Sequence, residues 1–308
     1  MFCYKVVLLY VYIFNKLFCV QQYGFRAGHS TELAALRFVD QLVKQMDKKN
    51  VPISIFIDLS KAFDTLDHRI LLSKLDHYGI CGNEHALFTN YLSDRHQYVE
   101  YNDTISATNS ISTGVPQGSI LGPLLFLIYI NDLPLVTTVF DMLMYADDTT
   151  LYCNLNNNLT DIINGELDKI NDWLSANKLS LNVKKTKYMV FHRSQKKVIY
   201  PLLKFNNVEI ERVTSFNFLG LILDSTLQWQ THTNHISLKI SRVIGIMYRL
   251  KLIYPQAVLL LLYNALILPH FFYCLLDGER KLSRTIHFTW FKKRHCALLQ
   301  KNKIYSSH

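Results

Sequence analysis

Two short apolar runs in this chain each end on carboxylates, and together they restrict its fold and chemistry more than any other feature. The first is Ile55-Phe56-Ile57-Asp58, continuing as Leu59-Ser60-Lys61-Ala62-Phe63-Asp64; the second is Met144-Tyr145-Ala146-Asp147-Asp148. Ile53–Ile57 is dense in β-branched residues and predicts a strand. Phe140–Tyr145 and Thr149–Cys153 predict two short strands around Ala146-Asp147-Asp148. A carboxylate leaving an apolar strand is costly to bury without a partner. Three converging carboxylates repel, and at least one pKa rises unless cations neutralise them. Hard divalent cations such as Mg²⁺ answer that need, because they take oxygen ligands and leave positions open for phosphate oxygens. Two such ions about 3.5–4 Å apart activate an attacking oxygen and stabilise the leaving one in phosphoryl transfer. The plainer alternative is local: Asp is common at strand ends, and an isolated Asp-Asp is an ordinary solvated turn.

Composition removes other classes. The chain has 308 residues, 49% hydrophobic and 19% charged, which is enough apolar material for a core and excludes generic disorder. With 11 Gly and 7 Pro it is neither collagen-like nor of low complexity. The length admits roughly two domains. Six cysteines, at 3, 19, 81, 153, 274 and 296, form no C-x-x-C pair. That argues against a zinc ribbon or disulfide framework and fits a reducing, intracellular compartment, cytoplasm or nucleus. Met1–Val20 is apolar and aromatic but broken by Lys5, Asn15 and Lys16, and Val6–Phe14 is too short to span a bilayer. No small-residue cleavage site follows, so a buried helix is expected there rather than a signal peptide or membrane anchor.

Along the chain, Ser30 is placed to cap a helix from about Thr31 to Lys48, and Asp67 another through Tyr78, ended by Gly79. Residues 83–93 read as helical. Gln97–Tyr101 and Ile105–Ser112 read as a strand pair around Asn102-Asp103. Ser119–Asn131 reads as an apolar helix with Pro123 in its first turn. An amphipathic helix over Leu159–Ala176, a strand over Tyr188–His192 and a segment Phe216–Leu223 follow. Two helices, about Thr231–Leu250 and Pro255–Tyr273, close the pattern. The order is α+β: antiparallel hairpins interleaved with helices, then a helical end.

Five motifs occur in a fixed order: Phe56–Asp64; Gly114-Val115-Pro116-Gln117-Gly118 with Ser119–Pro123; Tyr145–Asp148; Leu181-Asn182-Val183-Lys184-Lys185-Thr186-Lys187; and Phe218-Leu219-Gly220. This assembly resembles the reverse transcriptase domain of non-LTR (LINE-like, jockey-type) retrotransposons, from about Gln22 to Tyr273. The resemblance implies a right-hand palm polymerase with partial fingers, an antiparallel palm sheet with helices, and a helical thumb. It implies an RNA-directed DNA polymerase that transfers nucleotides onto a primer 3′-hydroxyl, using two Mg²⁺ ions (Mn²⁺ as a substitute), dNTPs, an RNA template and a DNA primer. Asp58, Asp147 and Asp148 then bind the metals, and Lys185 matches a lysine that protonates the leaving pyrophosphate. Phe63 matches the aromatic gate that excludes a ribose 2′-hydroxyl. Gln117 and Gly118 lie in the loop under the template and incoming nucleotide, where glycines permit close backbone approach and an amide can contact base or sugar. Phe218, Leu219 and Gly220 match the primer grip. Gln22-Tyr23-Gly24-Phe25-Arg26 matches the junction of fingers and palm, and Arg26 either reaches a phosphate or forms a salt bridge. Each match has a plainer counterpart: core packing for Phe63, a turn before a helix for Gly114–Gly118, a solvated surface lysine for Lys185 and a buried hairpin for Phe218–Gly220.

The domain plan expected on this basis is 1–50 partial fingers and N-terminal helices, 51–212 palm with inserted fingers elements, 213–277 primer-grip hairpin and thumb helices, and 278–308 a basic divergent tail. Set against the resemblance, the family's fingers stretch before Gln22 is expected to be missing or replaced, no endonuclease domain is expected, and the family pattern is expected to stop after Cys274. A truncated, catalytically inactive remnant that at most binds nucleic acid is therefore the alternative. The formal charge of +9 is segregated. Residues 1–177 carry −7, residues 178–212 +7, residues 213–277 +2 and residues 278–308 +7. The nucleic-acid reading rests on the motifs and the 178–212 block, whose lysines suit sequence-independent phosphate contact or a solvated face; the tail's charge adds little.

Overall fold

The computed structural model describes residues 17–155, 160–193 and 198–273. The expected helix before Leu17 and the basic tail beyond residue 277 lie outside the described residues. The chain divides into two compact units, with the boundary between Thr214 and Ser215.

The first unit is built on a five-stranded sheet: β1 (Pro52–Ile57), β2 (Asp141–Tyr145), β3 (Asp148–Asn154), β4 (Lys187–Val190) and β5 (Glu211–Arg212). Their spatial order is β5-β4-β1-β3-β2. All pairings are antiparallel except β5 with β4. Every residue of β1 is buried, as expected of a central strand covered on both faces. Alternate residues serve opposite faces. Ile53, Ile55 and Ile57 enter the large core with Leu124–Ile130, Ile163 and Leu167. Phe56 points the other way, meeting Phe38 edge-on at 6.2 Å between centroids, and Phe38 also meets Tyr152.

Helices cover these faces. Phe38 lies on α1 (Thr31–Asp47), which Ser30 caps through its hydroxyl and the Leu33 N–H. Next come α2 (His68–His77), α3 (Gly82–Leu92), α4 (Leu121–Ile130) and α5 (Thr160–Ala176). Asp67 caps α2, accepting from the Arg69 and Ile70 N–H groups at 2.9 and 3.2 Å. Leu124 through Ile130 are all buried, so α4 is apolar all round and threads the core. Polar contacts tie these pieces together: the buried Tyr129 hydroxyl donates to the Asn177 carbonyl at 2.6 Å, and the exposed Lys178 pairs with the buried Asp67 at 2.5 Å.

Two expectations need correction. The strand pair around Asn102-Asp103 is two short ladders rather than one: Arg95–Gln97 with Asn109–Ile111, and Glu100–Tyr101 with Thr104–Ile105. Between them the Ser106 hydroxyl accepts from the Val99 N–H, in place of a continuous backbone ladder. The turn itself is where expected, with φ of +45° and +59° at Asn102 and Asp103. The last predicted helix, Pro255–Tyr273, is broken in two.

The second unit contains a hairpin, β6 (Ser215–Phe218) with β7 (Leu221–Asp224), and then α6 (Gln230–Leu250), α7 (Gln256–Leu266) and the short α8 (Leu268–Phe272). Pro269 sits in the first turn of α8, where a missing N–H costs nothing, and Ile267 at φ −112° marks the break. His232, Ile236, Ile240, Ile244 and Met247 make the buried stripe of α6, and the last four pack with Leu259 and Ile267. Among the described residues no helix is long and apolar enough to cross a membrane.

Candidate active site

The strand register brings the two carboxylate motifs together. Ile57 on β1 pairs with Thr149 on β3, so Asp58 and Asp148 leave adjacent strands one residue beyond that pair. Tyr145 pairs with Asp148 across β2 and β3, leaving Ala146 and Asp147 as a two-residue turn. Partial burial, together with the charges of Asp147 and Asp58, raises the Asp148 pKa above the usual carboxylate value. The three aspartates therefore share one field, although Asp148 itself keeps an exposed face.

The lysine-rich segment is drawn to the same place by backbone contacts. Thr186 is fully buried, and its hydroxyl accepts from the Asp58 N–H at 3.3 Å. The Asp58 carbonyl accepts from the Asn182 N–H at 2.8 Å, and Leu59 bridges to Leu181. These ties set the Lys185 ammonium 3.9 Å from the Asp58 carboxylate, with 70% and 36% of the two side chains exposed. Water screens so open a pair, and it contributes little to stability.

Among the described residues no three His, Cys, Asp or Glu side chains stand as a ready metal cluster. The donor set nonetheless suits a hard divalent cation. It is all carboxylate oxygen, and the repulsion from Asp147 and Asp58, which adds to burial in raising the Asp148 pKa, is what such a cation relieves.

Beside the carboxylates, Phe63 stacks on the buried Phe126 at 4.4 Å and meets the half-exposed Phe25 edge-on at 6.4 Å. Gln117 donates from its amide to the Asp64 carboxylate at 2.9 Å. Gly114 lies directly against Asp64: a Cβ there would stand 2.7 Å from the Asp64 carbonyl oxygen. Gly118 has φ +81° with open space around it. The loop thus gathers Phe63, Asp64 and Gln117 within one set of contacts.

Four expected residues serve locally. Arg26 donates to the Cys19 and Gln22 carbonyls at 2.8 and 2.9 Å, and its guanidinium lies over the Phe18 ring. In the second unit, Phe218 pairs with Leu221, so Leu219 and Gly220, at φ +45° and +87°, form the hairpin turn. The Tyr273 hydroxyl donates to the Leu219 carbonyl and braces that turn.

The sequence did not single out Gln22 itself. It is 1% exposed, and its amide contacts the backbone of Ala146. Only the fold joins two segments separated by 124 positions; a glutamine between Gln21 and Tyr23 carries no local signal of it.

A palm-type sheet with carboxylates at the ends of β1 and the β2–β3 turn accords with comparison to known proteins. Residues 4–223 match the family model described as reverse transcriptase (RNA-dependent DNA polymerase). The chain belongs to the reverse transcriptase family. Reverse transcriptase relatives include the probable RNA-directed DNA polymerase from transposon X-element of Drosophila melanogaster, 29% identical over 221 residues. Another is the RNA-directed DNA polymerase from mobile element jockey of the same organism, 28% identical over 224 residues. Each alignment covers 70% of this chain and 24% of the relative, so the chain spans about a quarter of those proteins' length. Among solved structures, Candida tropicalis telomerase in complex with a TWJ fragment of telomeric RNA aligns with a TM-score of 0.53 and 10% identity. That alignment covers 98% of this chain and 50% of the telomerase chain, and it supports the palm polymerase fold expected from the sequence. The reverse transcriptase family, and relatives named for a transposon and a mobile element, agree with the motif order.

Proposed function

We propose that this chain is the RNA-directed DNA polymerase segment of a non-LTR retrotransposon, acting inside the cell on an RNA template, a DNA primer and dNTPs. The observation that carries this reading is the placement of Asp58, Asp147 and Asp148 at the ends of neighbouring strands, with Lys185 3.9 Å from Asp58. In it, residues 51–212 form the palm with inserted fingers elements, 213–277 the primer-grip hairpin and thumb, 1–50 partial fingers and 278–308 a tail.

Asp58, Asp147 and Asp148 would hold two Mg²⁺ ions, with Mn²⁺ as a substitute. Such ions supply charge neutralisation at the reacting phosphate and acidify the primer hydroxyl. The protein's own part is positioning and proton supply. The β1–β3 register holds Asp58 and Asp148 on one edge before substrate arrives, so little reorganisation accompanies binding. Lys185, open to solvent and fixed by the Asn182–Thr186 ties, is free to give a proton to the leaving pyrophosphate. Phe63 is held from behind by Phe126 and so can act as a rigid wall against a ribose 2′-hydroxyl. Gln117 and Gly118 line the approach of the incoming nucleotide; Arg26 steadies the strand entry; Phe218, Leu219 and Gly220 form the turn that would press on the primer.

The experiment is primer extension on a primed homopolymer RNA with Mg²⁺ and dNTPs, comparing the chain with Asp147→Ala. Template-dependent incorporation that the substitution abolishes is expected. Salt-sensitive nucleic-acid binding with no incorporation above the variant would instead identify an inactive remnant.

A further inference from the structure

We propose that Gln22 is the positioning residue of the aspartate turn: its buried amide holds Ala146, and through it the flanking Asp147 and Asp148, in a strained geometry. The proposal deepens the polymerase reading, and only its kinetic arm rests on that reading.

The turn has two problems that the β2–β3 ladder cannot solve. Ala146 has φ +56°, a left-handed conformation disfavoured for any residue with a Cβ. Such a residue persists only where its surroundings over-determine it. Ala146 is also only 6% exposed, so its backbone N–H and C=O, which fall between the paired positions Tyr145 and Asp148, are largely denied water.

Gln22 answers both. A glutamine amide offers an acceptor oxygen and a donor nitrogen on one planar group. Its Oε1 accepts from the Ala146 N–H at 3.0 Å and from the Gly24 N–H at 2.7 Å, and its Nε2 donates to the Ala146 carbonyl at 3.4 Å. The backbone around it cannot drift. The Met144 N–H donates to the Gln21 carbonyl at 2.9 Å, and the Tyr23 N–H donates to the Met144 carbonyl at 2.8 Å. Gly24 closes the clamp from the other side: a Cβ there would lie 2.2 Å from the Ala146 nitrogen. A side chain in contact with both backbone groups of the strained residue, flanked by two backbone ties, is arranged to fix a turn rather than to fill a core. Gln22 acts through Ala146 and touches no reacting atom, so it is a positioning residue and not a catalytic one.

The test compares the full chain with Gln22→Met, which keeps the side-chain length and removes all three amide hydrogen bonds, and with Gly24→Ala, which displaces the turn while leaving Gln22 in place. Hydrogen–deuterium exchange at Ala146 reads the clamp directly. In both variants it is expected to speed up about tenfold or more, while the amides of β1 and β4 keep their protection. In primer extension, kcat is expected to fall about tenfold with the KM for dNTP within about twofold, the pattern of lost transition-state positioning. Unchanged Ala146 exchange overturns the proposal, as does a defect confined to KM. Loss of protection throughout β1 also overturns it, by making Gln22 a general fold residue. If the unsubstituted chain does not polymerise, the polymerase reading fails, and the exchange measurement still decides whether Gln22 holds the turn.

Discussion

Replacing Gly114 by Ala imposes two separable costs on the loop that carries Gln117 and Gly118. The first is conformational. Gly114 has φ +80°, and an alanine held there costs about 1–2 kcal/mol. The second is steric. The new Cβ would stand 2.7 Å from the Asp64 carbonyl oxygen and 2.9 Å from its carbonyl carbon and Cα, all backbone atoms that cannot swing aside. Relief requires moving Asp64, which loosens the Gly114 N–H to Leu66 carbonyl bond at 2.8 Å, the Val115 N–H to Phe63 carbonyl bond at 2.9 Å and the Gln117–Asp64 contact. Overpacking of this kind costs about 1–3 kcal/mol more. Gly28 is the internal control: its φ is +73°, but nothing lies within 4 Å of its Cβ position, so Gly28→Ala meets the first cost alone. In a unit of this size each kcal/mol lowers the melting temperature by about 2–4 °C. Thermal unfolding followed by circular dichroism should therefore show a drop on the order of 10 °C for Gly114→Ala and about 2–8 °C for Gly28→Ala. Equal shifts in the two variants would refute the claim that Asp64 packs against Gly114.

Two further outcomes follow from polar ties to the buried Asp67 and Tyr129. The hydrogen bond from Lys178 holds the Asp67 carboxyl below the usual carboxylate range, helped by the helix N–H groups it caps. A lowered folded pKa adds stability above the unfolded value, near 3.9, and loses it as pH falls through the folded value. Asp67→Asn should thus be less stable than the parent in urea at pH 7, with the gap narrowing below about pH 4; a gap independent of pH would count against the ion pair. Tyr129→Phe removes the donor to the Asn177 carbonyl at 2.6 Å and the acceptor for the Asp67 N–H at 3.4 Å. It should cost about 1–3 kcal/mol by urea unfolding, and an unchanged midpoint would show that water replaces the hydroxyl.

Much of the first unit was legible because its signals are local. Ser30 and Asp67 cap their helices because a short polar side chain can reach an N–H two or three residues on, a property written in the adjacent sequence. The apolar run of β1 and the Asn102-Asp103 turn are local in the same sense. The break before Pro269 was missed because the apolar periodicity runs across it, and the proline's effect depends on where the preceding helix stops. The strand pair expected over 97–112 is two shorter ladders, since alternation alone does not reveal where Ser106 substitutes its hydroxyl for a ladder bond.

For the site, the order of motifs was enough to name the family and to single out Asp58, Asp147, Asp148 and Lys185 as candidates. Sequence could not say what holds them. The register of Ile57 against Thr149, the ties from Asn182 and Thr186 to Asp58, and the amide of Gln22 on Ala146 join segments up to 128 positions apart. Sequence by itself determined which residue types leave which strands, because propensity, capping and turn chemistry act over a few neighbouring residues. Only the tertiary structure decided which of those residues share a field and which backbone groups need a side chain to replace water, because burial and electrostatics depend on proximity in space and not on separation along the chain.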